Sequence, residues 1–371
     1  MKFTVSSSDL QKALSKLSGV IPTRSSLPIL ENILFELKKN SLRIAATDLE
    51  VSISVLIDVK GSGDGSITVP AKRLLETVRS LADVQILFTA DLASNKIKLL
   101  TETGEYTLIG EASADFPETT EFKGEDGILF DGGVLKRILS RTIFAVSNDE
   151  LRPAMTGVLF EVGEKEIRAV STDGHRLVRF TSRGITARKQ QSNIIIPSKA
   201  LNLIVRTAEE TQTKMSMSQT HVQFSFGNTT LTSKLIQEKY PNYESVIPID
   251  NEKTLTVHRD TVLNAVRRVA LYSSSTTHQV RFTLKKGEVR IAAEDIDFGG
   301  EAREKISCSY EADEMEIGFN STYIIDVLTH IDSEEVTFRL NRAERAAIVV
   351  PATQKENEEL LMIVMPVRLN V

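Results

Sequence analysis

A chain of 371 residues, 41% hydrophobic and 26% charged, is too long for one ordinary core and too apolar to remain disordered; it should form roughly two to four compact domains. No apolar run approaches the roughly 18 residues of a membrane span, and the start MKFTVSSSDL lacks a signal peptide's apolar centre. With Cys308 the single cysteine, no internal disulfide can form, so a reducing cytoplasm without membrane contact is expected. The net charge of −5 speaks against a nucleic-acid binder unless the basic groups are gathered in one place.

Along the chain, the strand KFTV leads into a helix over 9–18, and strand-rich LRIAATDLEVSI follows from Leu42. ITVPAKRLLETVRSL, from Ile67, passes from strand into a helix over 71–82; the strand KIKLL and the tripeptide ending at Pro117 come next. A helix over 131–146 precedes IRAVSTDGHRLV from Ile167, IIIPSKALNLIVRTA from Ile194 with a helix over 198–208, the strand HVQFSF, and Pro241. The strand LTVH then opens a helix over 258–271, followed by VRIAAEDIDFGG from Val289, IGFNSTYIIDVLTHI from Ile317 with a helix over 320–331, the strand EVTFRL, and Pro366. Ser, Thr, Asp or Asn caps are expected at most helix openings, and the strands alternate apolar and polar residues.

These elements repeat. Asp48, Asp173 and Asp295 end the same β-rich run at steps of 125 and 122; Pro70, Pro197 and Asn320 recur at 127 and 123; Pro117, Pro241 and Pro366 at 124 and 125. Three independent markers agree on a period near 124, which predicts three equal domains over 1–121, 127–248 and 253–371. The junctions, Phe122–Gly127 and Pro248–Lys253, are short and polar, which favours a rigid row. Two helices and a multi-stranded antiparallel sheet per repeat make an α+β protein rather than a parallel βαβ one.

The six helical segments carry a net +8, so at a total of −5 the rest of the chain carries −13. In the first, Leu10, Leu14 and Leu17 share one face, with Lys12 and Lys16 roughly opposite; in the third, Leu135, Ile138 and Leu139 oppose Arg137 and Arg141. Lys72 and Arg79, like Lys199 and Arg206, are seven apart and share a face. One such helix is ordinarily just a solvated face, but five of the same sign in an acidic chain predict a surface that attracts phosphate. No zinc finger, helix-turn-helix or basic-aromatic RNA signature supplies base readout, and an aromatic content of 6% without Trp gives no stacking platform. Binding should be weak, salt-sensitive and blind to sequence.

Chemistry is not evident. His175 beside Asp173 lacks the held nucleophile of a hydrolytic triad and reads as a turn after a strand. The five His and one Cys show no metal-ligand spacing, so neither metal nor cofactor is expected. Asp295-x-Asp297 reads as a solvated turn, and Gly61-Ser-Gly63-Asp-Gly65 reads as a connection between strands without the helix a phosphate loop needs. No Walker A sequence, GxxxxGK followed by Ser or Thr, occurs, so the motif gives no sign of an ATPase.

The threefold repeat, the opening MKFTV, LPILENILFEL around Pro28, ATDLE at 46–50, STDGHRL at 171–177 and the terminal MPVRL resemble the bacterial sliding clamp family, the β subunit of DNA polymerase III. The likeness covers essentially the whole chain. It implies two three-domain chains joined head to tail into a ring around duplex DNA, helices inside and strands outside. It implies that Lys12, Lys16, Arg24, Lys72, Arg79, Arg137, Arg141, Arg152, Lys199, Arg206 and Arg268 face DNA. A cleft between the second and third domains would take the hydrophobic peptides of a replicative polymerase, a clamp-loader ATPase and other partners. Positions matching its lining are Met155, Thr172, Gly174, His175, Arg176, Leu177, Pro241, Val246, Ile247, Tyr323, Val364, Met365, Pro366 and Arg368. The homodimer interface is expected to join Arg73, Leu74 and Tyr106 to Leu271 and Tyr272. Two departures stand out: Pro153 and Ala154 replace an aromatic pair that helps some clamps hold DNA, and the sixth helix carries Asp326 and His330 instead of basic residues. The competing readings are an enzyme with a cleft at Asp173 and His175, and a triple-repeat adaptor that binds proteins without encircling DNA.

Overall fold

The computed structural model describes residues 1–117, 122, 127–185, 192–208, 212–295 and 298–369. Among the described residues six α-helices occupy the places that the apolar periodicity indicates: α1 (Ser7–Leu17), α2 (Ala71–Ser80), α3 (Gly132–Thr142), α4 (Ser198–Thr207), α5 (Arg259–Ala270) and α6 (Ser321–Thr329). Ser6 Oγ accepts from Asp9 N to open α1, Asp131 Oδ1 accepts from Gly133 N at α3, and Asn320 Oδ1 accepts from Thr322 N at α6. By contrast α2, with Pro70 as its N-cap, and α5, with His258, open without a side-chain cap. Proline suits such an opening because its missing N–H would be unpaired there anyway.

The described residues form two compact units: 1–135 with 199–235, and 136–198 with 236–371. Their boundary runs through the central repeat. In the first unit, a five-stranded sheet runs Lys60–Gly63, Lys2–Ser6, Gln85–Asp91, Lys96–Leu100, Glu105–Ile109. The glycine segment read as a connection is therefore partly an edge strand, paired with residues 2–4. Gly61 is needed there, since a Cβ would sit 1.7 Å from the Lys39 carbonyl oxygen. A nine-stranded antiparallel sheet starts in the first repeat and continues into the second where Val51–Asp58 pairs with Thr229–Lys234.

The second unit repeats this device. Its eight-stranded sheet crosses from second to third repeat where Arg176–Arg183 pairs with Glu358–Val364. A four-stranded sheet runs Gly300–Ser307, Glu288–Asp295, Gln279–Lys285, Met315–Asn320. Every sheet pairing among the described residues is antiparallel, consistent with the α+β class. The helices bury their apolar stripes: Leu10, Leu14 and Leu17 of α1 and Val262, Val266 and Val269 of α5 are fully enclosed. Burial of each such side chain contributes roughly 1.5–3 kcal/mol. Phe3, Phe35 and Phe88 stack in the first repeat, with Phe3 and Phe88 centroids 4.6 Å apart, and Phe282 meets Phe319 edge-on at 5.4 Å in the third. The first inter-repeat junction, 122–127, and Asp297 lie largely or wholly outside the described residues.

Candidate functional site

The turn at Asp48, Asp173 and Asp295 is the first feature that the repeats share. Asp48 Oδ1 accepts from Glu50 N and Val51 N; Asp173 Oδ1 accepts from His175 N and Arg176 N; Asp295 Oδ1 accepts from Phe298 N. The recurring aspartate thus closes a hairpin turn, a conformational role requiring no chemistry. Among the described residues no group of three His, Cys, Asp or Glu side chains could hold a metal.

The basic residues expected to face DNA differ in their surroundings. Lys12, Arg24, Lys72, Arg79 and Arg206 are exposed and make no ion pair among the described residues. Lys16 is half-buried, its Nζ 3.3 Å from Thr229 Oγ1. The others are internally compensated: Lys199 pairs with Asp48, Arg137 with Glu358 at 2.6 Å, and Arg152 with Asp149 at 2.8 Å. Arg141 departs furthest from a DNA-facing role. Its side chain is 13% exposed and bound to Asp332 and the His330 carbonyl, so a phosphate would have to displace an existing partner. Arg268 also departs. It is held bidentately by Glu304 on the strand Gly300–Ser307, while its neighbour Arg267 reaches Thr329 of α6. Helical rotation of 100° per residue separates these two faces, and the heptad-spaced pairs alone did not reveal which face α6 covers.

In the second unit, an apolar cluster joins Leu159, Val170, Leu177, Ile195, Tyr243, Ala346, Ile348, Val350 and Ile363, with Ala154, Tyr240, Ile247 and Leu361 packed on it. Of the expected pocket residues, Leu177 and Ile247 belong to this cluster. Tyr240 and Tyr243 of the second repeat and Ala346 and Ile348 of the third also join it and were missed, because nothing in the sequence shows which apolar residues of two different repeats meet. Val246 and Met365 expose apolar surface, His175, Pro241 and Arg368 are exposed, and Tyr323 and Pro366 are half-buried. Met155 and Thr172 are nearly enclosed. Val364 departs from a lining role: it has no exposed surface, lying between Arg176 and Ala347 in the sheet. Gly174 has φ +90°, a backbone that side chains rarely adopt, and a Cβ there would lie 3.3 Å from Arg152 Nη1. Arg152, expected to face DNA, is therefore beside the turn carrying His175.

Burial raises the phenol pKa of Tyr240 and, helped by the Glu161 hydrogen bond, that of Tyr243. Tyr243 accordingly keeps its proton and donates a hydrogen bond to Glu161 Oε2 at 2.7 Å. A groove of about 470 Å³ beside these rings is lined by Leu159, Ile195, Pro241 and Glu161.

Of the expected interface residues, Arg73 is exposed, Tyr106 half-buried on the edge strand Glu105–Ile109, and Leu271 and Tyr272 are 81% and 48% exposed. Leu74 departs from this role, being fully buried with Val78 beneath α2. Its neighbour Leu75, turned 100° around the helix, instead lines a groove of about 660 Å³ with Ile21, Pro22, Leu108 and Ile109.

Three tandem α+β repeats, with sheets passing from repeat to repeat and a basic set of helix side chains, define a clamp-type repeat protein. Its three parts match the N-terminal (1–120), central (130–242) and C-terminal (244–368) domains of the DNA polymerase III beta subunit. The chain is 32% identical to a beta sliding clamp of Pseudomonas putida and 31% identical to one of Vibrio cholerae, with full coverage of both chains in each case. Among solved structures, the DNA polymerase III beta subunit of Pseudomonas aeruginosa superposes with a TM-score of 0.94 at 31% identity, again over 100% of both chains. A sliding clamp of Bartonella birtlesii, solved bound to griselimycin, gives 0.94 at 29%, with the same coverage. This chain belongs to the DNA polymerase III beta subunit family, the beta sliding clamps.

Proposed function

We propose that this chain works as a DNA sliding clamp, a non-catalytic processivity factor that surrounds duplex DNA and tethers the replicative polymerase. The observation that carries the ring is an unfinished sheet junction. Val51–Asp58 pairs with Thr229–Lys234, and its counterpart one repeat on, Arg176–Arg183, pairs with Glu358–Val364. The third members of these two sets are Gly300–Ser307 and Glu105–Ile109, and each is a sheet edge. Open edges invite pairing with another chain. Two copies joined head to tail would complete both remaining junctions and leave neither edge exposed.

Side chains beside the edges suit this closure. Leu271, Tyr272 and Phe298 expose apolar surface near Gly300–Ser307, whereas Ile21, Pro22, Leu75, Leu108 and Ile109 line the groove beside Glu105–Ile109. Exposed Lys12, Arg24, Lys72, Arg79 and Arg206 then supply phosphate contacts without base identity. Such contacts can be weak, because retention comes from enclosure. Partner peptides bind beside Met365, whose N donates to the His175 carbonyl at 2.8 Å, and anchor apolar side chains near Leu177 and Ile247. A separate clamp-loader ATPase opens the ring, and the setting is the bacterial cytoplasm.

The test is retention after loading on closed circular plasmid, compared with the same plasmid cut once. Retention on circles at high salt with run-off from the linear form is expected; equal retention on both would overturn enclosure.

A further inference from the structure

The side chain of Arg176 is only 10% exposed, and partners surround its guanidinium. Nε donates to Asp173 Oδ2 at 3.1 Å, Nη2 to the Phe144 carbonyl at 2.9 Å, and Nη1 to Asp326 Oδ2. Cζ lies 5.3 Å from the Phe144 ring centroid and 5.0 Å from that of Tyr323. Phe144 stacks on His330 at 3.8 Å, and Tyr323 stacks on His175 at 5.7 Å. His330, Phe144, Arg176, Tyr323 and His175 therefore form one column. One end is the C-cap of α6; the other is exposed on the turn that also holds Gly174.

Three residues of the α6 region serve this column. Tyr323, Asp326 and His330 follow at spacings of three and four, which puts them on one side of the helix. His330 Nδ1 lies 2.7 Å from the Asp326 carbonyl, so the helix end orients the first ring while the Asp326 carboxylate orients the guanidinium. Asp173, the other carboxylate on Arg176, already closes the turn through His175 N and Arg176 N. Asp326 is the charged group that ties this turn to α6.

We propose that Asp326 is a positioning residue for the partner-peptide pocket. By holding Arg176 within the column it sets Tyr323 and His175, and with them the 172–176 turn, in the arrangement a peptide meets. This rests on the pocket reading above. Removing one partner from a poorly solvated guanidinium leaves it under-compensated and favours its escape toward water. Tyr323 then loses its cation–π neighbour, and His175 loses the support of a fixed Tyr323. The peptide need not touch Asp326 itself.

The experiment measures binding of the full-length protein to a fluorescein-labelled octapeptide with one Leu and one Phe anchor, by fluorescence anisotropy. The proteins are wild type, Asp326→Asn, Arg176→Ala, the double variant and Asp326→Glu. Asp326→Asn is expected to weaken binding about fivefold, less than the full worth of a charge-assisted hydrogen bond because the peptide does not touch Asp326, and Asp326→Glu to recover part of that. The double variant should bind no worse than Arg176→Ala, since the two side chains act as one unit. Hydrogen exchange supplies the structural control: in Asp326→Asn the amides of His175 and Arg176 should exchange faster while those of Met362 and Ile363 do not change. Unchanged affinity in Asp326→Asn, multiplied losses in the double variant, or a uniform rise in exchange would each overturn the positioning role. If the wild type itself fails to bind, the pocket reading falls and takes this one with it. If the wild type binds and Asp326→Asn is indistinguishable from it, only the positioning role falls.

Discussion

Ile53 of the first repeat lies directly opposite Leu231 of the second across an antiparallel strand pair, and both side chains are fully buried. Val178 and Met362 repeat the relationship between the second and third. The repeats thus share their sheets, and what ends at a repeat boundary in sequence continues across it in hydrogen bonding.

Truncating this junction should be felt as a core defect. Ile53→Ala is expected to destabilise the protein by roughly 2–5 kcal/mol, since the cavity between two paired strands collapses poorly. Thermal and denaturant unfolding check this, with the exposed Leu56→Ala expected to change little.

Closure across the open edges depends on apolar contact. Replacing Leu271 and Tyr272 together by Asp should convert a dimer to a monomer at micromolar concentration, by sedimentation or light scattering. Leu74→Ala should instead lower stability through the α2 core. A dimer of undiminished strength in the first variant would remove the proposed interface.

The exposed cations should govern the salt dependence of DNA binding. Reversing Lys12, Arg24, Lys72 and Arg79 to Glu should reduce the slope of log affinity against log salt, by about 0.9 for each phosphate that is no longer neutralised. Arg141→Ala should leave that slope unchanged and lower the melting temperature, because its partners are Asp332 and the His330 carbonyl.

The pocket rim and its backing should separate in the same way. Met365→Ala and His175→Ala should weaken binding of the labelled peptide roughly three- to tenfold, the scale of a single apolar anchor. Val364→Ala should act mainly on stability, since that side chain is fully buried. Calorimetric titration beside thermal unfolding distinguishes the two.

Glu359 gives a pH signature. A hydrogen bond from Arg183 and the nearby Arg179 guanidinium hold its carboxyl below the ordinary glutamate range. A depressed folded-state pKa contributes stability above the unfolded value of about 4.3 that is lost as pH falls through the folded one. Wild type should therefore lose its advantage over Glu359→Gln as pH falls from neutrality to below about 4.3, as followed by unfolding at a series of pH values. A constant difference across that window would rule the pair out as a source of acid sensitivity.

Much of the candidate site was legible because the repeats impose a common pattern on three unlike segments. The turn at Asp173 was visible from its counterparts at Asp48 and Asp295. The burial of Arg141 and the turn of Arg268 toward Glu304 were not, because a charge's partner can lie far along the chain; Arg137 and Glu358, for instance, are 221 residues apart. Leu74 and Leu75 are neighbours with the same chemistry, and only the rotation of α2 against its sheet decides which one is buried.

The sequence by itself determined the number of repeats, the α+β class, the six helices and the concentration of basic residues on them. Those follow from local periodicity and from a spacing that survives divergence. Tertiary structure alone decided how strands of consecutive repeats join, which cations are already neutralised, and that Arg176 stands in a column between the rings of Phe144 and Tyr323. Pairings of that kind depend on which side chains meet after the chain has turned back on itself many times, and no local pattern carries that information.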